Sequence, residues 1–143
     1  MAKSGDIHIS GQLISMTATD IGTAGTFTTT PVTQISGMSY MAVQAALTMG
    51  AGGTSCTVYV QTSLDGGVTW IDIASFAFAT TTATKVSAVN TQTALAANIT
   101  PTDGTLTPNT IVNGLLGDRL RVKYVVVGTY TGATIDVDIL AKG

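Results

Sequence analysis

The sequence predicts an all-β fold, an antiparallel β-sandwich of jelly-roll-like or immunoglobulin-like type with eight to ten strands. Three features of its 143 residues predict it: apolar and polar side chains alternate with period two, glycine clusters punctuate the alternating runs, and the composition disfavours helices. The chain holds 27 threonines and no glutamate. Threonine suits the pleated backbone and covers a solvent-facing strand without charge. Charged residues make up 10% of the chain against 45% hydrophobic ones, well under the ~25% charge of an average domain, so the surface is neutral rather than ionic. A chain of this length suffices for one hydrophobic core, and we divide it into an N-terminal arm, residues 1–10, and a single sandwich domain, residues 11–143.

Alternation is clearest from Arg119 to Val126, where Leu120, Val122 and Tyr124 share one face and Arg119, Arg121 and Lys123 the other. The glycine-flanked stretch from Gly128 to Gly132 and the run from Ala133 to Leu140 complete the pattern of a C-terminal β-hairpin. Upstream, Met38 to Met49, Thr54 to Thr62 and Thr69 to Ala79 read as a three-stranded meander, its turns at Gly50–Gly53 and Asp65–Gly67. Weaker strand signals cover Ile7 to Met16, Thr26 to Val32, Lys85 to Val89, Ala94 to Ile99 and Thr110 to Leu115. Of these, Ala94 to Ile99 also fits a helical turn. Two of the three prolines fall between Thr100 and Asn109, the expected long surface loop.

The sharpest motif is Ser63, Asp65, Gly67, Thr69 and Trp70, spaced as in the Asp-box of sialidase propellers. One copy in so short a chain points to a structural turn: the aspartate and serine bond nearby backbone N–H groups, a glycine takes positive φ and the tryptophan packs beneath. Nucleophilic catalysis needs a nucleophile, a base and an orienting group. The chain offers one histidine, His8, and one cysteine, Cys56, in unrelated segments, with Cys56 alternating with Val58 and Val60 as a core residue does. Asp136 and Asp138 share one strand face about 7 Å apart, without the surroundings of a glycosidase pair. No calcium-loop or phosphate-cradling motif occurs, so the expectation is a protein that is not an enzyme and has no metal or cofactor.

Net charge of −2 gives no attraction to nucleic acid. Mean hydropathy is +0.41, yet no apolar run approaches the ~20 residues of a spanning helix, and 6% aromatics would not furnish the girdles of an outer-membrane barrel. We therefore expect no membrane partner. The lone cysteine and an N-terminus without a secretory pattern fit assembly in a reducing cytoplasm.

Two segments, Val58 to Phe78 and Gly114 to Gly143, resemble small structural proteins from the head-gene modules of tailed bacteriophages. The resemblance implies a capsid decoration, or cement, protein: a β-sandwich virion component that sits on the outer capsid surface as a homo-oligomer and bridges subunits of the major capsid protein. It would touch the shell through Ile7, His8 and Ile9, adding a strand to an exposed edge, and through Arg119 and Arg121. The alternative is a tail or baseplate component with a glycan-binding face built from Trp70, Tyr40, Tyr59, Tyr124 and Tyr130, which requires those aromatics to be exposed.

Overall fold

The computed structural model describes residues 11–143 and is all-β. Its strands are β1 (Gly11–Asp20), β2 (Gly25–Thr28), β3 (Val32–Thr33), β4 (Tyr40–Thr48), β5 (Ala51–Gly52), β6 (Ser55–Ser63), β7 (Ile71–Phe78), β8 (Ala83–Asn90), β9 (Arg119–Val127), β10 (Tyr130–Thr131) and β11 (Thr134–Lys142). Two antiparallel sheets face each other, one ordered β1-β11-β4-β8 (sheet A) and the other β2-β9-β6-β7 (sheet B), with β3 also on β9.

The pairing has a simple logic. Starting from the turn between β6 and β7, the chain pairs outward as one long folded hairpin: β6 with β7, β4 with β8, β2 with β9, and β1 with β11. Rolling that hairpin places β9 beside β6 and β11 beside β4. The result is the double Greek-key arrangement of a jelly roll, which decides between the two sandwich types the sequence allows. The alternating apolar residues meet in the middle: Val43, Leu47, Ile135, Val137 and Ile139 of sheet A face Cys56, Val58, Val60, Phe76, Leu120 and Val122 of sheet B, none more than 2% exposed. Each large side chain so buried contributes about 1.5–3 kcal/mol, and this layer holds the sheets together.

Two expected hairpins are absent. The strands read as Met38 to Met49 and Thr54 to Thr62 become β4 and β6, which lie in different sheets, as do β9 and β11 at the C-terminus. The glycine-rich segments between them are corners that cross from one sheet to the other, and the two corners pair through β5 and β10. Crowding explains the glycines: a Cβ on Gly53 would overlap the ring atoms of Tyr130, which is 2% exposed and donates its hydroxyl to the Ala79 carbonyl at 2.6 Å. Only the β6–β7 turn is a true local hairpin of the expected meander. The segments Ala94 to Ile99 and Thr110 to Leu115 form no strand, apart from a single bridge between Ala74 and Ile111.

The segment from residue 91 to 118 instead runs along the β7 edge of sheet B and, at residues 102–106, folds over its outer face as a third layer. Its backbone completes the edge of β7: Asp72 N–H donates to Thr102 at 2.8 Å, Ser75 N–H to Thr110 at 2.9 Å, and Val112 N–H to Ile73 at 2.8 Å. As a result β6 and β7 are covered on both faces, and Gln61, Thr62, Ser63, Asp72 and Ser75 are all buried to within 1%.

Candidate functional site

The Asp-box residues assemble as their types require. The Ser63 hydroxyl donates to Asp65 Oδ1 at 2.9 Å and accepts from Gly67 N–H at 2.9 Å. Asp65 Oδ1 accepts the N–H groups of Thr69 at 2.7 Å and Val68 at 3.1 Å. These bonds, that from Thr69 foremost, hold the Asp65 carboxyl below the usual carboxylate range. Gly67 has φ +93°, which L side chains adopt only with strain. Trp70 tucks under the turn, 8% exposed.

Trp70 leads into a polar network that sequence reasoning missed. The Arg121 guanidinium stacks 4.2 Å from the Trp70 ring centroid, donates from Nε to Gln61 Oε1 at 2.7 Å, and lies 3.7 Å from Asp103 Oδ1. Gln61 Nε2 then donates to both Asp72 Oδ1 at 2.8 Å and Asp103 Oδ1 at 2.6 Å. Lys123 Nζ donates to Asp103 Oδ1 at 2.8 Å. Asp72, 1% exposed, accepts in addition the Thr102 hydroxyl and the N–H groups of Gly104, Thr105 and Leu106. Its carboxylate is the anchor of the covering segment. For Asp103, burial opposes the charged form, but the bonds from Lys123 and Gln61 and the charges of Lys123 and Arg121 outweigh it and hold the carboxyl below its ordinary range.

The basic face expected on β9 is therefore not an open one. Arg121 and Lys123 keep only 16% and 15% of their side-chain surface, while Arg119, at 34%, sits 4.0 Å from Asp118. The single sequence signal for this lay in Asp103, a lone acid in the proline-bracketed loop. Ile7, His8 and Ile9 lie outside the described residues.

Beside the Asp-box, the covering segment and the β6–β7 turn enclose an open groove of about 650 Å³ lined by Leu64, Ile71, Leu95, Ile99, Pro101 and Leu115 among others. Leu64 is 61% exposed and Val68, at the tip of the turn, 83%. This apolar rim, rather than the basic strand, is what the turn presents to solvent.

The remaining candidates are occupied structurally. Cys56 is fully buried and burial pushes its thiol up to about 12, far from the thiolate a nucleophile needs. Asp138 accepts from Gln12 and Ser15, and Asp136 from the N–H of Ala18, so the two carboxylates clamp β1 across two register shifts. Tyr59, Trp70 and Tyr130 are buried, Tyr124 stacks on Phe27 at 5.2 Å, and only Tyr40 is exposed, at 37%. Among the described residues no cluster of three or more histidines, cysteines or acids is placed to hold a metal ion. The chain matches no family model, no characterised protein and no solved structure.

Proposed function

We propose that this chain is a virion structural protein that binds the exterior of a tailed-phage capsid and stabilises the shell by bridging subunits of the major capsid protein. One observation supports it most: the cations Lys85, Arg121 and Lys123 are turned into the fold, while Leu64, Val68 and Val86 stand 61%, 83% and 67% exposed. A rigid sandwich with a neutral, partly apolar exterior suits adhesion by apolar burial and hydroxyl or backbone hydrogen bonds. A protein that binds only the assembled shell stabilises that state by its binding free energy. Residues 1–10 and the Arg119 end of β9 remain the proposed shell contacts, joined by the apolar rim at Leu64 and Val68; Arg121, being enclosed, contributes through the fold. As a homo-oligomer, the protein would place several such surfaces on one shell. The tail or baseplate reading, with glycan stacking, is weakened by the burial of Tyr59, Trp70 and Tyr130.

The test is co-sedimentation with empty expanded shells at low and high salt. Binding is expected to survive high ionic strength, because screening acts on exposed ion pairs far more than on apolar contacts. Deleting residues 1–10 should weaken binding more than it lowers the unfolding midpoint. Protein that stays in the supernatant, and labels only the tail in imaged virions, overturns the proposal.

A further inference from the structure

Two sheets have four edges, and three of them are closed. β1 is broken by register shifts between Gln12 and Ile14 and between Met16 and Thr19, with Ala18 at φ +48°. On the opposite side of sheet B, β2 and β3 are only four and two residues long, with Pro31 between them. β7 is sealed by Thr102, Asn109, Thr110 and Val112. Interruptions, short strands and covering loops are the usual means by which a sheet edge is kept from pairing with another chain.

β8 has none of these from Thr84 to Ala88; only its last residue, Asn90, is met by the covering segment. It runs eight residues along β4 without a register shift. Asn90 turns its N–H and carbonyl away from β4, toward Asn113 and Gly114. By the alternation of an antiparallel ladder, Thr84, Val86 and Ala88 turn their N–H and carbonyl groups the same way, and these have no partner among the described residues. The layer beneath is also unfinished. Ile111 bridges Ala74, whose side chain is in the core, so both share the inner face of sheet B. Ala74 is fully covered, whereas Ile111 is 38% exposed: sheet B, widened by residues 110–112, outruns sheet A by one strand.

We propose that β8 is a self-association edge, and that the missing strand is β8 of a second copy, paired antiparallel about a two-fold axis at Val86. The edge is complementary to itself in this register. Val86 exchanges both backbone bonds with its counterpart, Thr84 with Ala88, and no charge points outward. Inward, Lys85 falls opposite Ser87 rather than opposite Lys85, so like charges do not meet. An inward-pointing charge ordinarily discourages an added strand, but the Lys85 ammonium is already held by the Ala77 carbonyl at 2.6 Å and Asn109 Oδ1 at 2.9 Å, 5.3 Å from the centre of the Phe78 ring. The exposed Val86 side chains meet on the outer face, and the added strand covers Ile111. This inference specifies the contact within the homo-oligomer proposed above and stands without the capsid.

Sedimentation velocity of the full chain, from about 10 to 200 μM, tests it over the range of ordinary weak dimers. A concentration-dependent dimer is expected. Val86→Pro removes two intermolecular bonds and no intramolecular one, because its N–H points outward, and should weaken self-association about tenfold or more. Circular dichroism checks that the variant keeps its fold. As a second route, the Cα atoms of paired Val86 residues, ~5.5 Å apart in such a ladder, lie within disulfide range. Val86→Cys should oxidise to a covalent dimer much faster than Val68→Cys, which is exposed but off the edge. A monomer at every concentration, a dimer indifferent to Val86→Pro, equal cross-linking of the two cysteine variants, or a dimer lost only on deletion of residues 1–10 overturns the assignment. No shell is needed, so this outcome is separate from that of the co-sedimentation experiment.

Discussion

Replacing Asp72 by asparagine tests whether one buried carboxylate holds the third layer in place. The Asp72 carboxylate accepts from Gln61 Nε2, the Thr102 hydroxyl and three successive backbone N–H groups at 2.8–3.1 Å. Asparagine keeps the shape but presents one oxygen and one NH₂. Whichever way the amide turns, a donor faces a donor, either Gln61 Nε2 or the N–H groups of residues 104–106. Gln61 cannot simply flip in response, since its Oε1 accepts from Arg121 and its Nε2 also serves Asp103. Bonds to a charged group contribute about 1.5–3 kcal/mol each, and a stranded buried group costs about 1–3 kcal/mol. Part of that returns as the covering segment lifts and admits water, so a net loss of about 3 kcal/mol is expected, a large share of the stability of an ordinary domain. With a urea slope of about 1.5–2 kcal/mol/M, the unfolding midpoint should fall by roughly 1.5–2 M, read from the fluorescence of Trp70. Proteolysis of the native protein should become faster within residues 100–109. A midpoint lowered by less than about 0.3 M, with unchanged proteolysis, would refute the anchoring role.

Gly67→Ala should destabilise by about 1 kcal/mol or more. The cause is the positive φ and not crowding, because an added Cβ would stand 3.5 Å from Trp70; an unchanged urea midpoint counts against it. Acidification should loosen the covering segment. The folded-state pKa of Asp103 is depressed, so its contribution is present above the ordinary carboxylate range, near pH 4, and is lost as the pH falls through the folded value. Asp65 is depressed likewise, and the β6–β7 turn should weaken over the same range. Thermal melts between pH 7 and pH 3 should show a falling midpoint, and Asp103→Asn should flatten that dependence; a flat profile in the parent protein refutes the assignment.

Much of the fold is legible in local sequence because its cause is local. Period-two alternation is the geometry of a strand with two unlike faces, so the inward sets Val43–Ala45–Leu47, Val58–Val60 and Leu120–Val122 follow from spacing alone, as does Cys56 in the core. The Asp-box is equally self-contained, since Ser63, Asp65 and Gly67 bond within eight residues and need no distant partner. Glycine clusters are ambiguous for a physical reason: a hairpin turn and a sandwich corner both need positive φ and close backbone approach. What distinguishes Gly50–Gly53 from Asp65–Gly67 is Tyr130, far along the chain, whose ring occupies the space a Cβ on Gly53 would fill. The same limit applies to charge. Arg121 and Lys123 alternate like solvent-facing residues, and only the approach of Asp103 and Asp72 converts that face into an enclosed network. Alternation along one strand records that its two faces differ; which of them meets water depends on what another part of the chain lays over it.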